Sequence, residues 1–345
     1  MAYLYQGHIA PLLVLVVLVV ACGTAAPAVT DPNAPEQREV IMRFQWIPQW
    51  QFVGYIAAEV NGYYDEVGLD VTLNGGGPEF PAKQIVASGS EQFGVAWADS
   101  MYTARQQGVE LVALATLFQV NPTAYMVHSD SGIGGVEDFP GKRVAVFYGG
   151  GVEVEYRAML AAAGVDRSTI IETPGEFSME PFLRRRVDVW PVYATDQPRA
   201  VRQQGAEIDL IFARDYGVVM MGDVLFATST FIEENPNTVR AFVEASLRGW
   251  EWALANPDAA VDLVAEYNPE LDRDQLTFEA SQTIELLTYG PGARCVGYSD
   301  PAVWEAEHQM LLDIGVLEAP IPFEQVANNS FVEGYYAAKG IDCEG

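Results

Sequence analysis

From residue 40 onward, short apolar runs alternate with longer stretches whose apolar positions recur every three or four residues. The first pattern fits strands and the second amphipathic helices. Strands are expected at 40–46, 69–73, 92–97, 109–116 and 123–128, with helices at 52–67, 79–88 and 99–107 between them. A second set follows the glycine-rich segment 132–135, with strands at 143–147, 170–173, 187–192 and 208–212. Its helices are expected at 153–163, 179–185 and 196–204. A returning strand at 224–228 precedes a helical tail: 230–234, 237–255, 257–266, 272–288, 301–315 and 331–339. Alternating strands and helices indicate an α/β fold. Two crossings between the sets predict two doubly wound lobes, 39–128 with 222–345 and 129–221, facing each other across a cleft.

The richest stretch lies at the first strand-to-helix turn. Residues 44–55 hold Phe44, Trp46, Trp50, Phe52 and Tyr55 together with Gln45, Gln49 and Gln51. Pro48 ends the extended run, because it lacks an N–H and restricts Ile47 to extended backbone. Ligands bind at such turns in α/β sheets. Flat rings stack on flat rings, and carboxamides both donate and accept, so the stretch suits a planar, polar heterocycle. Core filling is the plainer account of the same rings. Trp97 with Asp99, and Trp190 with Tyr193 and Asp196, fall at further strand ends, where each is equally a buried ring or a helix cap.

The first residues read differently. An almost wholly apolar run at 9–21 leads into Cys22-Gly23. It is too short for a typical membrane span and fits the core of an export signal. Cys22 after Val19-Val20-Ala21 resembles a lipoprotein cleavage box, so 1–21 is expected to be a signal peptide and Cys22 a lipidated residue. No Lys or Arg precedes the run, only His8, which departs from the usual signal. Small residues and prolines then make 22–38 a flexible tether. Cys295 and Cys343 are left as an even pair in an oxidising compartment, either disulfide-bonded or two free buried thiols.

Charge narrows the function. Acidic residues outnumber basic ones 47 to 19, a formal net charge of −28. Nucleic acid is excluded as a partner, since its binding needs Lys and Arg on phosphates. The field also disfavours an anionic ligand. The turn Gly149-Gly150-Gly151 runs into Glu153 and Glu155, and carboxylates there would repel an anion or simply favour the helix dipole. No Lys-Ser/Thr follows the glycines, so this is no nucleotide loop. The histidines are His8, His128 and His308. They form no ligand spacing, and neither a metal site nor a cofactor is expected.

Several words together are similar to a known family. Residues 54–71, from Gly54-Tyr55-Ile56 through Asn61-Gly62-Tyr63-Tyr64 to Gly68-Leu69-Asp70-Val71, resemble the A-x-E-x-G-Y-Y-x-x-x-G-L-D-V opening of NMT1/THI5-like substrate-binding proteins. Ile85 to Val95, Asp138-Phe139-Pro140-Gly141-Lys142-Arg143, Asn235-Pro236 through Trp250, and Asn256-Pro257-Asp258 continue the likeness over about 38–340. The resemblance implies a bilobal periplasmic-binding-protein type II fold. It also implies an extracytoplasmic, lipid-anchored monomer at the cell membrane that delivers a solute to the permease and ATPase subunits of an ABC importer. Family ligands include thiamin-precursor pyrimidines, riboflavin, and sulfonates or similar anions. Ring count favours riboflavin, with a formyl-aminopyrimidine next and a sulfonate or nitrate after it. On this reading Trp46 and either Trp190 or Tyr193 sandwich the ring, beside Trp97 and Gly150, while Gln51, Asp99, Glu155 and Asp196 fix its polar edge. Some family members are pyrimidine synthases that use histidine and iron; the scarcity of histidine here argues against an enzyme.

Overall fold

The computed structural model describes residues 31–344 apart from Pro78 and Phe177. The apolar run, Cys22 and the first part of the tether lie outside the described residues. Residues 31–34 belong to one unit, and 35–345 form the other, which carries every strand and helix named below.

The ten strands are β1 (Glu39–Arg43), β2 (Asp70–Asn74), β3 (Phe93–Trp97), β4 (Leu111–Thr116), β5 (Thr123–His128), β6 (Arg143–Val146), β7 (Ile171–Pro174), β8 (Val189–Tyr193), β9 (Ile208–Phe212) and β10 (Asp223–Thr228). They form two five-stranded sheets, ordered β2-β1-β3-β10-β4 and β7-β6-β8-β5-β9. The two sheets share one plan. In each, four strands run the same way, three of them as direct parallel neighbours, and one strand is antiparallel to both of its neighbours. That strand is always the first after a crossing: β5 on the way out, β10 on the way back. Every residue of β3, β4 and β5 is buried. Helices or loops cover both faces of these strands, which is why they read as continuous apolar runs.

This pairing corrects one expectation. The sequence pattern puts residues 123–128 in the first lobe, yet β5 pairs with β8 and β9. The first crossing therefore spans 117–122, and the second runs from 213 to 222. Sequence could not place β5, because a fully buried strand carries no mark of which sheet it enters.

The expected helix at 52–67 is also divided. A short 3-10 turn, Trp50–Phe52, leads into Val53–Val60, and a separate turn of helix covers Tyr63–Glu66. Gly62 separates them with φ of 75°, a left-handed conformation that costs glycine nothing. Helix Val53–Val60 lies against the long helix Pro236–Ala255, and glycines let them touch. A Cβ on Gly249 would lie 1.9 Å from the Gly54 carbonyl oxygen. The tail helices start where expected, with Pro236, Pro257 and Pro301 each in the first turn. Cys295 and Cys343 are joined in a disulfide that closes a 48-residue separation. Such a link typically contributes about 2–4 kcal/mol.

Candidate functional site: an aromatic cleft between the two sheets

The aromatic turn after β1 divides its rings between two tasks. Phe44 stacks on Phe52 with centroids 4.3 Å apart, and Tyr55 meets the Trp250 ring edge-on at 5.5 Å. These rings and Trp50 are wholly buried in the core of the first lobe. The Pro48 carbonyl accepts from Asn268 Nδ2 at 2.8 Å and ties the turn down. Trp46 alone of the five turns to the cleft, half-buried on its wall. Core filling, the plainer account, is thus right for Phe44, Trp50, Phe52 and Tyr55.

The cleft holds a cavity of about 370 Å³, within the usual range for small-molecule sites. Trp46, Trp97, Lys83 and the three glutamines line it from the first lobe. Phe147, Gly150, Trp190, Tyr193 and Asp196 line it from the second. Trp97 and Tyr193 stack on each other across the lobes at 5.8 Å, and Phe147 meets the Trp190 ring edge-on at 6.5 Å. The walls are therefore largely apolar and flat. Charge is sparse: Lys83, Glu176 and Asp196 are the cationic and acidic side chains among the described lining residues.

Seven of the nine expected ligand residues come together at this cavity: Trp46, Gln51, Trp97, Gly150, Trp190, Tyr193 and Asp196. Asp99 and Glu155 do not reach it. Both are buried beneath the floor, at 3% exposure each. Gly151 packs directly on Asp99 and Trp97, for a Cβ there would meet Trp97 Cε3 at 2.1 Å and Asp99 Oδ1 at 2.9 Å. These two carboxyls, expected at a ligand's polar edge, are thus not part of the cavity lining. Helical spacing put Glu155 one turn too deep, while Asp99 is the first residue of its helix and turns inward. They sit near Glu307, whose Oε2 accepts from Met221 N at 2.8 Å on the return crossing. Burial raises the Asp99 carboxyl to about 6 and Glu155 to about 8, and drives Glu307 well up as well. Glu153 is spoken for too: it accepts from Gly149 N–H at 2.7 Å and pairs with Arg167 at 2.8 Å.

One residue that sequence reasoning missed organises the polar end. Asp223, at the start of β10, is almost wholly buried. Its Oδ2 accepts from Gln51 Nε2 at 2.6 Å, and its Oδ1 from Gln45 Nε2 at 2.5 Å and Tyr193 O–H at 3.4 Å. Gln49 Nε2 in turn donates to Gln51 Oε1 at 3.1 Å. Burial lifts the Asp223 carboxyl to about 7, against the pull of these donors. The only signal in sequence was an acidic residue directly before an apolar run. At the far rim Gln275 Nε2 donates to Asp196 Oδ1 at 3.2 Å and to Glu279 Oε1 at 3.3 Å. Burial raises Asp196 to about 6 and Glu279 to about 8.

The histidines of the described residues lie elsewhere. His128 stacks on Phe182 at 4.3 Å and its Nε2 is 3.0 Å from that residue's carbonyl. His308 stacks on Tyr102, and its Nε2 accepts from Ile321 N–H at 3.0 Å.

Residues 49–260 match the family model described as NMT1/THI5 like. This chain belongs to that family. It is 31% identical to a riboflavin-binding protein, RibY, of Chloroflexus aurantiacus, over 91% of each chain. It is 25% identical to a formylaminopyrimidine-binding protein of Halalkalibacterium halodurans, over 79% of this chain and 81% of that one. Among solved structures, the periplasmic nitrate-binding protein NrtA of Synechocystis superposes with a TM-score of 0.67 at 14% identity, covering 90% of this chain and 91% of that one. That likeness establishes the fold, the bilobal periplasmic-binding-protein type. Both of these relatives are named as binding proteins, while a 4-amino-5-hydroxymethyl-2-methylpyrimidine phosphate synthase of Legionella pneumophila is 22% identical over 67% of this chain and 74% of that one.

Proposed function

We propose that this protein is the extracytoplasmic solute-binding component of an ABC importer, and that its cargo is a planar heterocyclic vitamin, riboflavin in the first instance. The single observation that carries the reading is the cavity itself. Flat rings from both lobes, Trp46 and Trp97 from one and Trp190 and Tyr193 from the other, face one narrow space with a polar end. A ring entering between Trp46 and Trp190 and lying against the joined Trp97–Tyr193 pair would meet flat faces from both lobes. Closing the lobes completes the site, as hinge closure does in such proteins, and gives a permease a surface to read. The likeness to RibY supports riboflavin among the family's ligands.

A formylated aminopyrimidine is the second reading, supported by the relative that binds one. An anion is less suited. Lys83 is the cationic group among the described lining residues, and Asp196 and Glu176 set two acidic side chains against it. A pyrimidine synthase would need histidines at the cleft, and His128 and His308 are packed away from it. Delivery through a permease calls for a protein outside the cytoplasmic membrane, held there as a monomer by lipid on Cys22. Among the described residues no helix is long and apolar enough to cross a membrane.

Purification without added ligand, followed by mass spectrometry and absorbance, tests the assignment. A yellow protein carrying riboflavin is the expected result. Riboflavin at a hundredfold excess over its Kd should stabilise the fold by about 2.7 kcal/mol. No thermal shift with riboflavin or with the aminopyrimidine, and a shift with nitrate or a sulfonate, would overturn it.

A further inference from the structure

We infer that Asp223 determines specificity in this cavity: by holding the amide N–H groups of Gln45 and Gln51, it leaves the Gln45 carbonyl oxygen to face the ligand and so selects a ring edge bearing an N–H donor. Once ionised, as at pH 8, the Asp223 carboxylate can only accept. Any carboxamide within reach must therefore offer it nitrogen. Gln45 does so at 2.5 Å and Gln51 at 2.6 Å. The direction then propagates. Gln51 Oε1 is left to accept from Gln49 Nε2 at 3.1 Å. Gln45 and Gln49 both line the cavity. Gln45 spends both of its N–H groups, on Asp223 and on the Tyr193 hydroxyl at 3.4 Å, so the edge it has left to show a ligand is its carbonyl oxygen, while Gln49 keeps its carbonyl oxygen and one N–H.

Asp223 is placed to impose this order. Its own carbonyl accepts from Leu117 N at 2.8 Å and Phe118 N at 3.2 Å, on the outgoing crossing. In the sheet it stands opposite Trp97. It is thus fixed by both crossings and lies beside the stacked Trp97–Tyr193 pair. The other ionisable groups facing it are Tyr193 and, more distantly, Tyr55. A buried carboxylate is costly, and here its hydrogen bonds go to cavity amides rather than to a cation.

The ligand class is then an uncharged heterocycle with an imide or amino N–H edge. This rests on the vitamin-capture reading above and sharpens it. A ring whose matching nitrogen is alkylated leaves the amide oxygens facing carbon, and a site built to pair a donor rejects an analogue that lacks it.

The test pairs riboflavin with N3-methylriboflavin, titrated against wild type and Asp223→Asn at pH 8. Wild type should prefer the N3–H form at least tenfold. The Asn variant, whose own NH₂ forces one glutamine to reverse, should bring that preference within about threefold while its unliganded melting temperature is held or raised. Riboflavin binding with methylation tolerated, or with the preference intact in the variant, would overturn the inference and leave the vitamin assignment standing. If neither flavin binds, the vitamin assignment falls instead, and assigned side-chain amide spectra of the free protein decide. Gln45 and Gln51 NH₂ signals that move in the variant support the relay; superimposable signals end it.

Discussion

Gly151 shows how much one missing methyl group can matter here. It opens the helix Gly151–Ala163 and lies where the second lobe meets Trp97 of the first. A Cβ would press into the indole, a rigid ring hemmed by Tyr193. Gly151→Ala should therefore wedge the lobes apart. The expected outcome is a loss of ligand affinity of about tenfold or more, about 1.4 kcal/mol by the usual conversion, with urea unfolding nearly unchanged. Titration calorimetry checks it, and unaltered affinity would show that the lobes need not approach this closely. At the same scale, residue type alone could name Trp46, Trp97, Trp190 and Tyr193 as candidates. It could not exclude Asp99 and Glu155, because a carboxyl near a helix start is visible in sequence while its burial is not.

Among elements, the pair Val53–Val60 and Pro236–Ala255 holds the aromatic turn in place. The two backbones meet at Gly54 and Gly249, and Trp250 occupies the space a Gly54 side chain would need, with Cδ2 2.1 Å from the ideal Cβ. Helix propensity would favour alanine at both positions. The packing opposes it, since overfilled contacts cost about 1–3 kcal/mol. Gly249→Ala is expected to lower unfolding free energy by that amount in denaturant titrations, and a stabilised variant would refute the tight crossing. Most strands and tail helices were legible in the sequence to within a few residues, because proline starts and apolar periodicity are local signals. The membership of β5 was not, since pairing partners are chosen by topology.

At the scale of the molecule, buried acid governs the response to pH. Glu155 and Glu279 are raised to about 8, Asp223 to about 7, and Asp99 and Asp196 to about 6, all chiefly by burial. Unfolded carboxyls titrate near 4. Between about pH 4 and 8 the folded chain therefore binds more protons than the unfolded one, so its stability falls as pH rises. Each group contributes up to about 1.4 kcal/mol per pH unit inside its window. Glu36, Glu153 and Asp188 are lowered and act oppositely, losing their contribution only in stronger acid. Unliganded protein should thus resist denaturant better at pH 5 than at pH 8, with Glu155→Gln flattening the difference. Equal or greater stability at pH 8 would contradict these burials.

The sequence by itself determined the α/β class, the order of the elements and the family, since each is written in local periodicity and short words. Tertiary structure alone decided which rings of the first turn face the cleft, which carboxyls are buried under its floor, and that Asp223 gathers the glutamines at its polar end. Those outcomes depend on what a face packs against, and the partners lie far away along the chain: Trp250 against Gly54, Gln45 and Gln51 against Asp223, Trp97 against Tyr193.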